Sequence, residues 1–520
     1  MKNKLVLYIF SVLFSSVWMA CSSSDKGEGN EAENNSLISE VAMDPNAQAG
    51  ALPYTIEFEE QNFPGKAPLP RLQSFGSAVN QAGEIFMVGG RRQGLHTFDP
   101  FPAHNFVKDS ANNFLFVIDP STGDQWSFNV KQLSAEFSAP LQATNLQTYH
   151  DKETDYMYVV GGYGWKADSS DMVTFGSVIQ FQLEAITKAI KGGASAQDIQ
   201  GLMKIGKDDR LAITGGVLSK SGETFQLIFG QRFDGQYRAF GGTDFKQKYS
   251  NQIRNFRLNP QNLSISAYGA ETNSGWDQPF HRRDGNIIES VDPKSGAQIM
   301  TALGGVFKPG IIGGYDYPIF ISGPSNVSMD STVHQKFSQY ECPVITIYNP
   351  NSQDTSVYHT MFGGISLFYY NQTPSQKAAF DKVTAQGRND GLPFISDISV
   401  FQRNATGQYQ EYILPNPIPN NRLLGSSTNF IPNRALVGQG LAFENGVLDL
   451  SKVAANDKVL VGYIFGGIEA AQPLPLVPNE GTSVSNSLFA VYVTNSSSAA
   501  IPAALAIKAR TGPPLTERPR

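Results

Sequence analysis

Few residues in this chain of 520 have the types and spacing that chemistry requires. The six histidines are His96, His104, His150, His281, His334 and His359; no pair has the spacing of a helical zinc site and no HExxH occurs. The carboxylates nowhere form the DxDxDG pattern of a calcium loop, and the GxSxG turn that presents a nucleophilic serine is absent. Cys342 precedes an apolar run at 343–348 with no motif around it, so it reads as a buried core thiol and not as a nucleophile. No catalytic residue, metal site or cofactor is read from the sequence. The densest polar group is the turn His281-Arg282-Arg283-Asp284. Such a run reads as a solvated loop with an internal ion pair, with membership of a ligand site as the alternative.

The elements that would position such residues are repeats. The phrase EIFMVGG at 84–90 returns as YMYVVGG (156–162), IMTALGG (299–305), YHTMFGG (358–364) and GYIFGG (462–467), with a weaker copy, FQLIFG, ending at Gly230. Second strand-like runs follow: 114–128, 177–183, 253–266, 344–358, 398–414 and 487–493, all alternating or continuously apolar and rich in β-branched and aromatic residues. Four of these break at a polar cluster (119–123, 259–262, 349–354, 404–407) and resume, the pattern of a hairpin. Each unit thus reads as strand, Gly-Gly, loop, strand, turn, strand. An ordinary turn would explain one glycine pair, but five at matched positions point to small antiparallel sheets that bury both faces by radial stacking.

A hydrophobic run, Gly-Gly, then a strand with Trp or Tyr after the turn, as in Gly89, Gly90 and Trp126, resembles the kelch family of β-propellers across about 71–493. The resemblance implies an all-β fold: a kelch-like β-propeller of six blades, with seven as the alternative, and small helical loop insertions. It also implies that residues just after each Gly-Gly lie in loops on one face near the central channel. That face would carry Arg91 and Arg92; Tyr163, Trp165 and Lys166; Gln231 and Arg232; Phe307 and Lys308; and Glu469. Arginine and aromatic residues dominate binding energetics, and arginine forks match carboxylates. Some kelch relatives are copper radical oxidases built on Cys, Tyr and His, but nothing around Cys342 matches that set.

Away from the repeats, Lys2 and Lys4, an apolar run at 5–14 and Ala20-Cys21 resemble a bacterial lipoprotein signal. The resemblance implies a lipidated Cys21 as first mature residue; Trp18 and Met19 depart from the family's preference, and a plain secretory signal is the alternative. Residues 21–50 are polar and read as a flexible tether, and the run SSSDKGEGNE resembles the acidic signals of surface-exposed Bacteroidetes lipoproteins. The expected divisions are 1–20 signal peptide, 21–50 tether, 51–497 propeller and 498–520 tail. YTIEF at 54–58 is expected to complete the blade containing 487–493, with 503–509 as the alternative donor. Segments 183–203 and 374–383 read as helical inserts. A net charge of −6 gives no sign of nucleic-acid binding.

These readings lead to a lipid-anchored protein of the outer membrane, held there through Cys21, that binds a protein or glycan partner and is not an enzyme. The alternative is an envelope carbohydrate-processing enzyme with Arg91, Arg283 and Asp284 as candidate groups, since propellers host sites that leave no sequence motif.

Overall fold

The computed structural model describes residues 49–50, 52–97, 105–237, 245–273, 278–306, 308–309, 314–335, 337, 339–350, 355–366, 369–371, 379–381, 393–473, 478–496, 504–508 and 510–511. The chain is mostly β, and among these residues six antiparallel sheets share a four-stranded body. The first is Gly76–Val79, Ile85–Val88, Phe114–Ile118 and Gln125–Asn129; the second is Gln147–Asp151, Tyr156–Val160, Ser177–Gln182 and Met203–Lys207. The third is Val217–Ser221, Thr224–Ile228, Gln252–Leu258 and Ile265–Thr272; the fourth is Asn286–Val291, Gln298–Leu303, Ile319–Ile321 and Val327–Met329. The fifth is built on Val344–Asn349, Ser356–Phe362, Ile398–Asn404 and Tyr409–Ile413. The sixth joins Asn429–Pro432, Lys458–Phe465 and Leu488–Asn495 to Tyr54–Glu60 from the other end of the chain.

Stacking of these sheets explains the apolar phrases. In the first five, the second strand buries nearly every residue on both faces, as a continuous apolar run requires. One buried cluster lies between each sheet and the next, and the cluster of Leu72, Phe75, Ile85, Phe465 and Leu488 lies between the sixth and the first. Ring contacts mark the same seams: Phe86–Phe181 at 5.4 Å, Tyr158–Phe225 at 4.7 Å, Phe229–Phe280 at 5.1 Å, Phe58–Phe362 at 5.4 Å and Phe75–Phe465 at 5.9 Å. Between the fourth and fifth sheets, Arg403 stands 4.0 Å over the Phe320 ring. Each fully buried large apolar side chain contributes about 1.5–3 kcal/mol, so these seams carry most of the stability.

Gly-Gly has a specific task. In Gly161-Gly162, the first glycine has φ +65 and a Cβ there would stand 2.1 Å from the Ile213 carbonyl oxygen; the second donates its N–H to that same oxygen at 2.8 Å. The pair thus grips the segment leading into the next sheet. Gly90 to Ala143, Gly230 to Arg282, Gly364 to Leu424 and Gly467 to Leu72 repeat the bond, the last returning to the first unit. In the third unit the absent glycine is Phe229, which keeps the left-handed backbone at φ 57 and sends its ring into the seam with Phe280. Gly230 is therefore the second residue of its pair and not the first.

Several expectations need correction. The unit has four strands, because a further strand precedes each Gly-Gly strand; GSAV, QTYHD and VLSKS are too short or polar to announce themselves. The run at 344–358 opens the fifth sheet and is not the outer part of the fourth, whose outer strands are Ile319–Ile321 and Val327–Met329. Helices Leu183–Lys191 and Ala196–Gly201 occupy the first expected insert. The second lies largely outside the described residues, and its described part, Ala379–Asp381, is a strand paired with Tyr369–Asn371, not a helix. Tyr54–Glu60 pairs with Leu488–Asn495, whereas Ala504–Lys508 pairs with Tyr409–Ile413 in the fifth sheet and with Ala49–Gly50. Parts of the segments read as tether and tail thus join the fifth sheet. Residues 1–20, Cys21 and the rest of the tether lie outside the described residues.

An insertion at 433–457 crosses the end of the assembly opposite Gly-Gly. Arg434 donates to Val79 O of the first sheet at 3.3 Å, Lys152 beside the second sheet donates to Glu444 O, and Asn445 donates to Ser290 O of the fourth at 3.0 Å. Leu448–Asp449 then pairs parallel with the first strand of the fifth sheet.

Candidate functional site

Six residues that precede the first strands sit in the left-handed region: Ser74 (φ 51), Asn145 (49), Gly215 (66), Asp284 (53), Glu341 (48) and Ser427 (53). Their backbones form a closed chain of hydrogen bonds. Asn145 N–H donates to Ser74 O at 3.0 Å, Gly215 to Asn145 at 3.2 Å, Asp284 to Gly215 at 2.9 Å, Glu341 to Asp284 at 3.1 Å, Ser427 to Glu341 at 2.8 Å and Ser74 to Ser427 at 3.2 Å. One residue from each unit thus encircles an axis. Ser, Asn, Gly and Asp suit this conformation, Gly by lacking Cβ and the others by short polar side chains. The ring lies at the Gly-Gly end, because a first strand starts where its antiparallel partner stops; Gln73 and Arg91 exchange backbone bonds of 3.0 and 2.9 Å there.

Side chains of the ring meet across this axis. Asn145 Nδ2 lies 3.0 Å from Glu341 Oε1 and 3.5 Å from Asp284 Oδ1, joining the second unit to the fifth and fourth. Ser427 of the sixth unit donates to Glu341 Oε2. Only groups projecting inward from the ring can span units in this way. Burial, then the Asp284 carboxylate, push the Glu341 carboxyl well above the usual range, with the Ser427 hydroxyl opposing. Five ring residues are half-buried while Gln73, Phe75, Thr144 and Leu146 beside them are buried, so the ring keeps an edge toward solvent.

Arg283 stands beside it. Its Nη1 is 3.4 Å from Asp284 Oδ2 and its Nε donates to Tyr249 OH at 3.1 Å. Burial opposes its charge, but Tyr249, Asp284 and Tyr237 outweigh this and hold its pKa above the ordinary value. The His281 ring stacks on Tyr249 with centroids 3.6 Å apart, and its Nδ1 is 3.0 Å from Asn251 Oδ1. Burial, with Arg283 adding, lowers His281 to about 4; His96 also falls to about 4 through burial first and then Arg283 and Arg91, against a bond to Thr97 O. Both imidazoles are therefore neutral near pH 7.

A wall of aromatic residues continues from here. His96 lies 4.6 Å from Tyr237 and 5.0 Å from Phe106, Phe106 lies 5.4 Å from Tyr163, and Arg91 stands 4.7 Å over Phe106. Arg91 is only 3% exposed and spends its Nη2 on Gln93 Oε1 and Val107 O, both at 2.8 Å; burial brings it down to about 10. Tyr163 is 5% exposed, donates to Gly235 O at 2.6 Å and accepts from Tyr237 N–H at 3.0 Å. These two hold the wall together and are not an open rim.

The expected binding residues therefore divide. Arg91, Tyr163, His281 and Arg283 converge, whereas Arg92 donates to Asp109 O at 2.7 Å and Lys166 is solvated. Arg232 pairs with Asp234 at 2.7 Å, Gln231 is buried and accepts from Gln247, and Lys308 lies 5.5 Å over Tyr317. Trp165 is half-buried among Tyr163, Phe233 and Tyr237, with no hydrogen-bond partner for its Nε1 among the described residues. Glu469 forms a two-pronged ion pair with Arg422 at 2.6 and 2.7 Å. Phe307 lies outside the described residues. In the turn 281–284, Arg282 is fully buried with bonds to three carbonyls, so the run is not a solvated loop. Sequence reading missed Ser74, Asn145, Glu341, Ser427, Tyr249 and His96; a small or polar residue two places before most first strands was the available signal.

Among the described residues no group of three His, Cys, Asp or Glu is placed to hold a metal, and no helix is long and apolar enough to cross a membrane. Cys342 is buried, and burial pushes its thiol up to about 12.

Small antiparallel sheets in cyclic contact, gripped by Gly-Gly turns around a polar axis, fit a kelch-type β-propeller. Among solved structures the chain is similar to the one titled "Structure of YjhT", at 12% identity over 82% of this chain and 99% of that one, with a TM-score of 0.41. No protein-family model and no curated protein matches the chain.

Proposed function

We propose that this chain is a lipid-anchored protein of the bacterial outer membrane whose six-bladed kelch propeller holds a protein or glycan partner over the axial ring at the Gly-Gly end. The count of six is supported by the six-membered backbone ring, in which each unit contributes one residue and Ser427 returns to Ser74. The binding reading is carried by one observation: polar side chains from four units meet at that ring under a wall containing Arg283, His281 and Tyr249. The anchor rests on the lipoprotein-like start ending at Cys21.

Crosslinking capture from intact cells tests it. The mature protein should retain a partner that the Tyr249→Ala/His281→Ala variant loses, while Arg232→Ala/Lys166→Ala at the periphery keeps it. Equal capture by all three places the contact elsewhere. Cys21→Ala should leave the membrane fraction and fail to take up labelled fatty acid; one acyl chain binds only marginally, so the further chains of the lipoprotein modification are needed.

Carbohydrate processing is a second reading, favoured by the two carboxyl groups Glu341 and Asp284 beside one another at the ring, the first pushed well above the usual range by burial and then by its neighbour, because paired acidic groups in one site are what acid–base catalysis uses. Turnover of a glycan library abolished by Asp284→Asn in a folded protein would move the protein to the enzymes.

A further inference from the structure

We infer that the axial ring receives one uncharged polyhydroxylated unit, the terminal residue of a glycan, and not a protein side chain or an acidic sugar. The inference rests on the reading of the Gly-Gly end as the binding end and names what reaches its floor. Three observations carry it.

The first is the inventory of the ring. Ser427 supplies a hydroxyl, Asn145 an amide, and Asp284 and Glu341 carboxyl groups, each from a different unit and converging on one axis, while the Ser74 hydroxyl is turned to Gln73 Oε1. Hydroxyl, amide and carboxyl groups both donate and accept, which is what a set of vicinal hydroxyls requires, since each ligand hydroxyl also does both.

The second is compensation of charge. Arg283 lies against Asp284, and burial keeps the imidazoles of His281 and His96 neutral. Arg283 is paired with Asp284, and Arg91 is buried with its Nη2 held by Gln93 Oε1 and Val107 O, so neither is turned to the ring to reward an anionic ligand. The paired Tyr249 and His281 rings offer flat apolar area next to the polar floor, so one ligand face can be apolar and its edge polar.

The third is access. The insertion at 433–457 crosses the opposite end, bonded to the first, second and fourth sheets and paired with the fifth, leaving the Gly-Gly end as the approach. The ring is a single circle of six residues, one from each unit, a floor matched in size to the end of a chain and not to a folded surface.

The test is titration calorimetry of the full mature chain with neutral monosaccharides and oligosaccharides ending in them, beside matched uronic acids. Neutral sugars should bind, and Ser427→Ala and Glu341→Ala should each weaken binding about tenfold, the loss of one hydrogen bond with its buried partner left unmet. Around Glu341 the charged groups are Asp284 and Arg283, both from the fourth unit, while Asn145 and Ser427 are uncharged. Wild-type affinity should therefore fall as pH rises and the Glu341 carboxyl ionises, and Glu341→Gln should make the profile flat. Binding only to acidic sugars, or a Glu341→Gln profile that keeps the wild-type slope, overturns the inference. Capture of a protein partner at this end with no sugar bound overturns the ligand class and leaves the binding end intact. Absence of both sugar and partner removes the two readings together.

Discussion

At the scale of single residues, Phe229 and Glu289 show where the chain departs from its own rules. Phe229 occupies the first Gly-Gly position of the third unit with a left-handed backbone and a fully buried ring. Removing a buried Phe costs about 3–5 kcal/mol, whereas a non-glycine residue in the left-handed region carries about 1–2 kcal/mol of strain. Both Phe229→Ala and Phe229→Gly should therefore lower the urea midpoint, and the glycine variant should lose about 1 kcal/mol less. An alanine variant as stable as the glycine one would mean that the backbone is unstrained. Glu289, in the first strand of the fourth sheet, is pushed up to about 7 by burial, with Lys152 and Asn445 opposing. Its folded value lies above the unfolded one, so its contribution to stability is fully present below the ordinary carboxylate range and is lost as pH rises through about 7. Glu289→Gln should match wild type in urea midpoint near pH 4 and exceed it near pH 8. A constant difference at both pH values would show that ionisation is not the cause.

At the scale of elements, Gly-Gly is a joint and not a turn alone. A Cβ at Gly161 would meet the Ile213 oxygen, while at Gly193, with nearly the same φ of +68, nothing lies within 4 Å. Gly193→Ala should cost about 1 kcal/mol for conformation alone, and Gly161→Ala should cost at least about 2 kcal/mol more because the next unit must move. Equal losses in thermal or chemical denaturation would reduce the joint to backbone preference. The same contrast explains what was legible in the sequence. Apolar Gly-Gly strands were visible because they are buried on both faces, and the hairpins at 119–123, 259–262 and 404–407 because their turn residues punctuate apolar runs. First strands such as QTYHD were not, since strands beside a polar axis lack a continuous apolar face. The ring escaped for a related reason: a residue defined by backbone conformation can be Ser, Asn, Gly, Asp or Glu, and the chain between it and its Gly-Gly varies in length. Position after Gly-Gly placed Arg91 and Tyr163 at this end of the fold, but sequence could not tell that both side chains turn inward.

For the whole molecule, the decisive contact joins the two ends of the chain. Tyr54–Glu60 completes the sixth sheet through a seven-residue register with Leu488–Asn495 and also reaches the fifth: Tyr54 OH lies 2.7 Å from Thr360 Oγ1, and Phe58 packs on both Phe362 and Phe489. In a cyclic stack every seam is supported by the other seams, so loosening one frees the ring to open there and removes the constraint on the axial residues. A chain starting after Glu60 would leave Leu488–Asn495 as an unpaired apolar edge, the kind of strand that recruits other chains. It should therefore aggregate and melt well below the intact protein. A milder variant keeps the question answerable if that chain fails to fold. Tyr54→Phe preserves the packing and leaves the buried Thr360 hydroxyl without this partner, which should cost about 1–3 kcal/mol. If closure governs cooperativity, that loss should shift the whole calorimetric transition down as one peak. A second, earlier transition in Tyr54→Phe would show that the fifth and sixth sheets unfold apart from the rest, and that the ring is held by its seams singly and not by being closed.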